Sequence, residues 1–366
     1  MYGYWVGVYS SRRLERRVME EVGFRVLAAG NQPDFRTIAD FRRIHLQALK
    51  GLFDQVLRLA PEMGAMKLGR VAVDGSKVQG NASRHKAMSC RRMKEEEKRL
   101  RQQVRRLLAE AERVDGEEDA CYGRDRRGDE LPGELQRREE WPRRIREAKR
   151  ALEERARAEA KAEGKDEDEQ KEAKPEPRSQ YSFTDPESRI MKGPHGFLQG
   201  CNAQIAVEPW LQLIVGQAVT QQSNDKRQLL PMIHTVEEQS GQRAAAVLAD
   251  SGYCSEENPG EIARLGVEGY IAVGKHKHNQ PLPPARRGRV PKSATLRDRM
   301  RRRLQTLAGR RIQAERKVIV EPVYGQIKQA RGFRQFLLRG VDKVQGEWSL
   351  ICTGHNLLRL HRACTG

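Results

Sequence analysis

The chain has 366 residues, of which 37% are apolar and 33% charged, and Lys and Arg outnumber Asp and Glu 69 to 50, for a net charge of +19. So small an apolar share argues against one large globule and predicts an ordinary core with extended polar elements. The positive surplus predicts a polyanionic partner, DNA or RNA above all, because each neutralised phosphate releases a counterion. The six cysteines form no C-x-x-C pair, which argues against a zinc knuckle or redox motif and suits reduced thiols of a cytoplasmic protein. No apolar run approaches the roughly 18 residues of a membrane span. In the opening MYGYWVGVYSSRR the positive charges follow the apolar stretch, so it does not read as a secretory signal.

Residues 1–62 read as a helical N-terminal region. Ser11 is placed to cap a helix through about Val22, with Gly23 as its stop. Thr37 and Asp40 resemble a capping box ahead of a helix that carries Ile38, Phe41, Ile44, Leu49, Phe53 and Val56 at helical spacing. LGRVAVD, 68–74, is a Val-rich run ending in an acid and predicts a buried strand. From 88 to 180 the composition turns to Arg, Lys, Glu and Ala; apolar residues recur at helical spacing in 88–113 and 131–164, around a loop-like CYGRDRRGDELPG. This predicts an inserted, charged αα-hairpin, with Pro142 near a helix start or kink. Residues 161–180 read as a charged linker.

Order resumes near Asp185. CNAQIAVE and LQLIVGQAVT predict a hairpin around a Pro-Trp turn, and Asn224 is placed to cap a helix through about Glu238. AAAVLAD, 244–250, is a second apolar run ending in Asp, followed by a short helix (256–265) and a strand (267–273). A basic segment, His276 to Arg303, leads into a helical region to about Ala330, and a last helix spans Trp348 to about Leu360.

Asp74 and Asp250 thus end two strand-like runs, each before a turn-forming glycine. Strand ends of this kind meet ligands in open α/β sheets. Hard cations such as Mg²⁺ take oxygen ligands from a few carboxylates, phosphate and water. Taken singly, a strand-ending Asp more often begins a turn or caps a helix. The order of parts says more: strand with Asp, hairpin, helix, strand with Asp, helix, strand, helix with acid. That order predicts an α/β fold with a ribonuclease H-like mixed sheet and flanking helices, built from 66–87 and 181–361 and interrupted by 88–180.

VAVDGSKVQGNASRHKAMS, SFTDPESRIMKGPHGFLQGCNAQIAV, SNDKRQLLPMI, LADSGYCSEEN and KVIVEPVYGQIKQARGFRQFLLRG together resemble DDE transposases of bacterial insertion sequences, in the group with a helical insertion after the first strand. The resemblance covers most of residues 1–361. It implies Mg²⁺-dependent DNA cleavage and strand transfer with two ions, Mn²⁺ being an acceptable substitute. It implies Asp74, Asp250 and Glu321 as catalytic metal ligands, and a homodimer on terminal-repeat and target DNA in the bacterial cytoplasm, at the nucleoid. The family's helix signature is Tyr, two residues, Arg, three residues, Glu, six residues, Lys; Glu321 and Lys328 match it, whereas Ala314 and Lys317 stand where Tyr and Arg are expected. Arg316, Lys317, Lys328, Arg331 and Arg334 are the implied DNA contacts, with a further basic stretch of His276, Lys277, His278, Arg286, Arg287 and Arg289. Family members begin further upstream, so the resemblance also implies a truncated N-terminal DNA-binding domain. Two rival readings are a remnant that binds DNA without cutting it and a nuclease on the same fold.

Overall fold

The structure, a computed structural model, describes every residue except 67, 84–86, 123–132, 194–195, 275–287, 292 and 366, and describes no side chain in 107–139. In chain order the elements begin with helices α1 (Tyr2–Trp5), α2 (Ser11–Glu20), α3 (Val22–Leu27), α4 (Phe35–Ile44) and α5 (Leu46–Glu62). Strands β1 (Arg70–Gln79) and β2 (Ala87–Ser89) precede helices α6 (Cys90–Tyr122), α7 (Gly133–Ala162) and α8 (Glu167–Glu172). Then come β3 (Gln180–Ser182), β4 (Arg189–Gly193), β5 (Gly196–Val207), β6 (Ile214–Thr220), α9 (Leu229–Ser240), β7 (Ala246–Ala249), α10 (Asn258–Arg264) and β8 (Glu268–Ile271). Helices α11 (Leu296–Gln305), α12 (Leu307–Gly325) and α13 (Val341–Thr365) close the chain, with a π-helical turn, Gln326–Ala330, directly after α12.

Two compact units result, one from 1–82 with 187–366 and one from 83–186. The first holds a mixed sheet in the order β4-β5-β1-β7-β8, with β6 also paired to β5. β1 runs antiparallel to β5 and parallel to β7, and β7 parallel to β8. The long β5 serves β4 with its first half and β6 with its second. Gly200 of β5 faces Gln79 of β1 on one side and Arg189 of β4 on the other.

The central strands are apolar because both faces are covered: Val71, Ala72, Val73, Ile205, Ala206, Val247 and Leu248 are fully buried. Trp348, Phe333 and Phe336 fill the same core. Helix α13 also buries Asn356, whose amide accepts from the Ile214 N–H at 2.8 Å and donates to the Ile214 carbonyl at 2.8 Å. A polar residue is tolerated there because it completes the backbone of β6. In the second unit α6 and α7 pack through Met93, Leu100, Ile145, Ala148 and Leu152. Glu97 accepts from Lys149 at 2.8 Å and Arg101 at 2.7 Å, and these hydrogen bonds hold its carboxyl below the usual range.

Several local expectations change. Gly23 does not stop α2; the chain turns at Glu21 and α3 runs through the glycine. The cap ahead of α4 is Asp34, accepting from the Thr37 N–H at 2.6 Å, rather than a box of Thr37 and Asp40. The periodic stretch through Val56 breaks at His45 into α4 and α5. Gln228 precedes α9 in place of Asn224. Residues 161–180 contain α8, and Pro142 lies inside α7. Among the described residues no helix is long and apolar enough to cross a membrane.

Candidate active site

The site is built where β1, β7 and α12 meet. Strand β1 does not end at Asp74 but continues to Gln79, because residues 75–79 keep pairing with β5. Asp74 accepts from its neighbour's N–H, Gly75, at 2.9 Å, and from Arg316 Nη1 on α12 at 3.3 Å. The Tyr324 hydroxyl, also on α12, lies 3.0 Å from the Asp74 carbonyl and 2.8 Å from that of Ala203. Burial raises the Asp74 carboxyl to about 6; Arg316 and the Gly75 N–H oppose the rise, and the Asp250 and Asp225 carboxylates add to it.

Asp250 follows the last residue of β7, the parallel neighbour of β1. Its carboxylate caps a 3-10 turn, Ser251–Tyr253, by accepting from the Gly252 N–H at 2.8 Å. The structure therefore brings Asp74 and Asp250 to one sheet edge within electrostatic reach of each other. Glu321 is exposed on α12 and has no hydrogen-bond or ion-pair partner among the described residues. Among those residues no group of three or more His, Cys, Asp or Glu side chains is placed to hold a metal ion. The cause is the phase of α12: Val320, Val323 and Tyr324 are the buried face, and Glu321 stands about 100° round from Val320.

The basic residues divide in two. Arg316, 9% exposed, is turned inward onto Asp74, while Lys317 beside it is exposed. Lys328 is half-buried against β1: its ammonium donates to the Ser76 hydroxyl and, at 3.3 Å, to the Lys77 carbonyl. Burial lowers its pKa and Asp74 opposes the shift. Arg331 is drawn into the fold, its Nη2 3.1 Å from Nδ1 of His355. Nε2 of that histidine lies 2.9 Å from the Gln212 carbonyl, so Nε2 carries the proton and Nδ1 accepts from the arginine. Burial beside Arg331 holds His355 neutral, its pKa down to about 3. Arg334, Arg339 and Arg289 are exposed. His276, Lys277, His278, Arg286 and Arg287 lie outside the described residues.

One acid at the site has no counterpart among the residues singled out from the sequence. Asp225, in the loop between β6 and α9, accepts from Lys77 Nζ at 3.2 Å, Asn202 Nδ2 at 2.7 Å and Gln204 Nε2 at 2.7 Å. Gly75 is needed for this and not for a turn: a Cβ there would stand 2.1 Å from Gln204 Nε2 and 2.8 Å from Asp225 Oδ1. The available signal was the alternation of Asn202 and Gln204 in an otherwise apolar strand, which marks polar side chains with a buried partner.

No curated protein and no solved structure matches the chain significantly. Residues 284–361, which contain Glu321 and the basic residues from Arg316 to Arg334 but neither aspartate, match the protein family described as Transposase DDE domain, so that the likeness to DDE-type transposases rests on this C-terminal stretch.

Proposed function

We propose that the chain is a DNA-cleaving and DNA-joining enzyme of the DDE transposase kind, acting as a homodimer on the ends of an insertion sequence. The observation that carries this reading is the meeting of Asp74 and Asp250 on adjacent parallel strands, in a chain whose C-terminal stretch matches a transposase DDE domain. The strand order β6-β5-β1-β7-β8, with the first three antiparallel and the last three parallel, supports a ribonuclease H-like sheet. The α6–α7 pair supports the expected helical insertion.

Asp74 and Asp250 are oxygen ligands of the kind a hard divalent cation takes. Burial, with a smaller push from two neighbouring carboxylates, raises Asp74 towards neutrality, and Arg316 is its positive partner. In this reading Mg²⁺ is held by Asp74 and Asp250 with Glu321 as the third acid, and Mn²⁺ can replace it. Bound there, two such ions would supply an activated water or 3′-hydroxyl and stabilise the leaving oxygen of an in-line displacement. The chain's own side chains do the rest. Arg316 and the Gly75 N–H orient the Asp74 carboxylate, the Gly252 N–H orients that of Asp250, and Lys328 holds a positive charge near Asp74. Lys317 and Arg334 are exposed and suit phosphate contacts along the DNA backbone.

The exposure of Glu321 favours a second reading, a DNA-binding remnant without catalysis. The two separate on one assay: the full chain incubated with Mg²⁺ and DNA carrying the sequences that flank its gene. Nicks at the element ends, lost in Asp250→Asn with DNA binding retained, support the enzyme. DNA binding that never leads to nicking supports the remnant.

A further inference from the structure

We propose that Asp225 is a positioning residue of this site, holding Lys77 on one side and, through Gln204 and Tyr253, the turn that carries Asp250 on the other. This rests on the catalytic reading just given.

Asp225 Oδ1 takes three donors, from Lys77, Asn202 and Gln204, and Oδ2 takes Lys77 alone at 3.3 Å. The donors come from one face of two neighbouring strands, since Lys77 pairs with Asn202 and Gly75 with Gln204 in the β1–β5 register. Gly75 leaves the space into which both Gln204 and Asp225 reach. The other end of the Gln204 amide, Oε1, accepts from the buried Tyr253 hydroxyl. These partners leave Gln204 one orientation, amide nitrogen to Asp225 and oxygen to Tyr253. Tyr253 ends the very turn that the Asp250 carboxylate caps.

Asp225 and Asp250 also both approach Gly252. A Cβ on Gly252 would lie 3.7 Å from Asp225 Oδ2 and 2.9 Å from Asp250 Oδ1, so the two carboxylates share the space over that glycine. A carboxylate placed beside two others is repelled by them. A neutral Asn could accept hydrogen bonds in the same place without that repulsion, but it would leave the Lys77 ammonium, 13% exposed, without its counter-charge. The charge of Asp225 is thus tied to Lys77, and its hydrogen bonds to the placement of Asp250. Second-sphere partners of this type commonly change metal affinity by about 10–100-fold.

The test uses the full chain with Asp225→Asn, Lys77→Met, Tyr253→Phe and the double variant Asp225→Asn/Lys77→Met. Mn²⁺ is the probe, its free fraction read by electron paramagnetic resonance, alongside the Mg²⁺ concentration for half-maximal nicking. Asp225→Asn and Tyr253→Phe are expected to weaken Mn²⁺ binding and raise the half-maximal Mg²⁺ by about tenfold or more. The double variant is expected to be no weaker than Asp225→Asn alone, because the pair acts as one unit. Tyr253→Phe keeps the ring in the core, so it answers the question even if Asp225→Asn fails to fold. Mn²⁺ affinity and Mg²⁺ dependence within twofold of wild type in Asp225→Asn, or in Tyr253→Phe where the former does not fold, would overturn the assignment, as would additive losses in the double variant. A wild-type chain that binds Mn²⁺ but never nicks DNA sinks the catalytic reading, and the Mn²⁺ affinities then decide the role of Asp225 by themselves. A wild-type chain that binds no Mn²⁺ removes both.

Discussion

Arg316→Gln should destabilise the protein by an amount that grows with pH. The guanidinium lies 3.3 Å from Asp74 Oδ2, with the two side chains 10% and 22% exposed. In the wild type burial pushes Asp74 up to about 6 in the fold, against an ordinary value of 3.8. Its folded form therefore binds a proton more tightly than the unfolded chain does. That contribution to stability is fully present below the unfolded value and falls away as pH rises through about 6. Without Arg316 the main group opposing burial is gone, and the folded value moves higher still. Below pH 6 Asp74 is protonated in both proteins, and the variant loses only packing and hydrogen bonds, about 1 kcal/mol. Above pH 6 the variant still holds a proton that the wild type has released, and the gap widens by about 1.4 kcal/mol per pH unit until the new value is reached. Two pH units above 6 the widening is at most about 3 kcal/mol, so the whole gap at pH 8 is at most about 4 kcal/mol, or roughly 8 °C in Tm at about 2 °C per kcal/mol. Thermal unfolding of both proteins from pH 5.5 to 8.5, without divalent metal, measures it. A Tm gap constant across that range would refute the idea that Arg316 acts by compensating Asp74.

Glu347, 1% exposed, is raised by burial to about 7, although the Leu337 and Leu338 N–H groups and Arg42 pull it down. Its stabilising contribution is likewise lost as pH rises from the ordinary value of 4.5 through about 7. Glu347→Gln should therefore gain up to about 3 kcal/mol on the wild type between pH 5 and 8, and parallel Tm curves would contradict this. Gly200→Ala would place a Cβ 2.1 Å from the Val78 carbonyl oxygen, a backbone atom that cannot step aside. A loss of about 3 kcal/mol or more is expected, read as a lower denaturant midpoint; an unchanged midpoint would show that β1 and β5 can separate there. Replacing exposed Lys317 and Arg334 together by Ala should weaken DNA binding on all sequences alike. It should also lower the slope of log K against log salt by about 2, as measured by fluorescence anisotropy over a salt series.

Much of the α/β frame is legible in the sequence because burial on both faces leaves uninterrupted apolar runs. β1 and β7 announce themselves as VAV and AVLA, and their acids stand out where the runs stop. The extension of β1 to Gln79 is hidden, because Gly75, Ser76 and Lys77 read as a turn when their partners on β5 are not in view. The inward turn of Arg316 is equally hidden. Nothing local separates it from Lys317, and only the phase of α12 against the sheet sends one to Asp74 and the other to solvent. Asp225 escapes for a related reason: its three donors lie 148, 23 and 21 residues away, and no periodicity links them to it. Glu321 is the reverse case. Its motif spacing to Lys328 is plain, yet in the fold Lys328 reaches β1 while Glu321 remains exposed.

The pairing of Gly200 with both Gln79 and Arg189 also says how separable the molecule is. The chain leaves the sheet just beyond Gln79 and re-enters it just before Arg189, and one strand, β5, stands between those two points. That gap is two strand spacings, about 10 Å, which a link of about four residues can bridge. Among the described residues no strand of the six-stranded sheet comes from 83–186, and that segment forms a compact unit of its own. The register that brings Asp74 beside Asp250 thus needs only β1, β5 and β7, none of which comes from that segment.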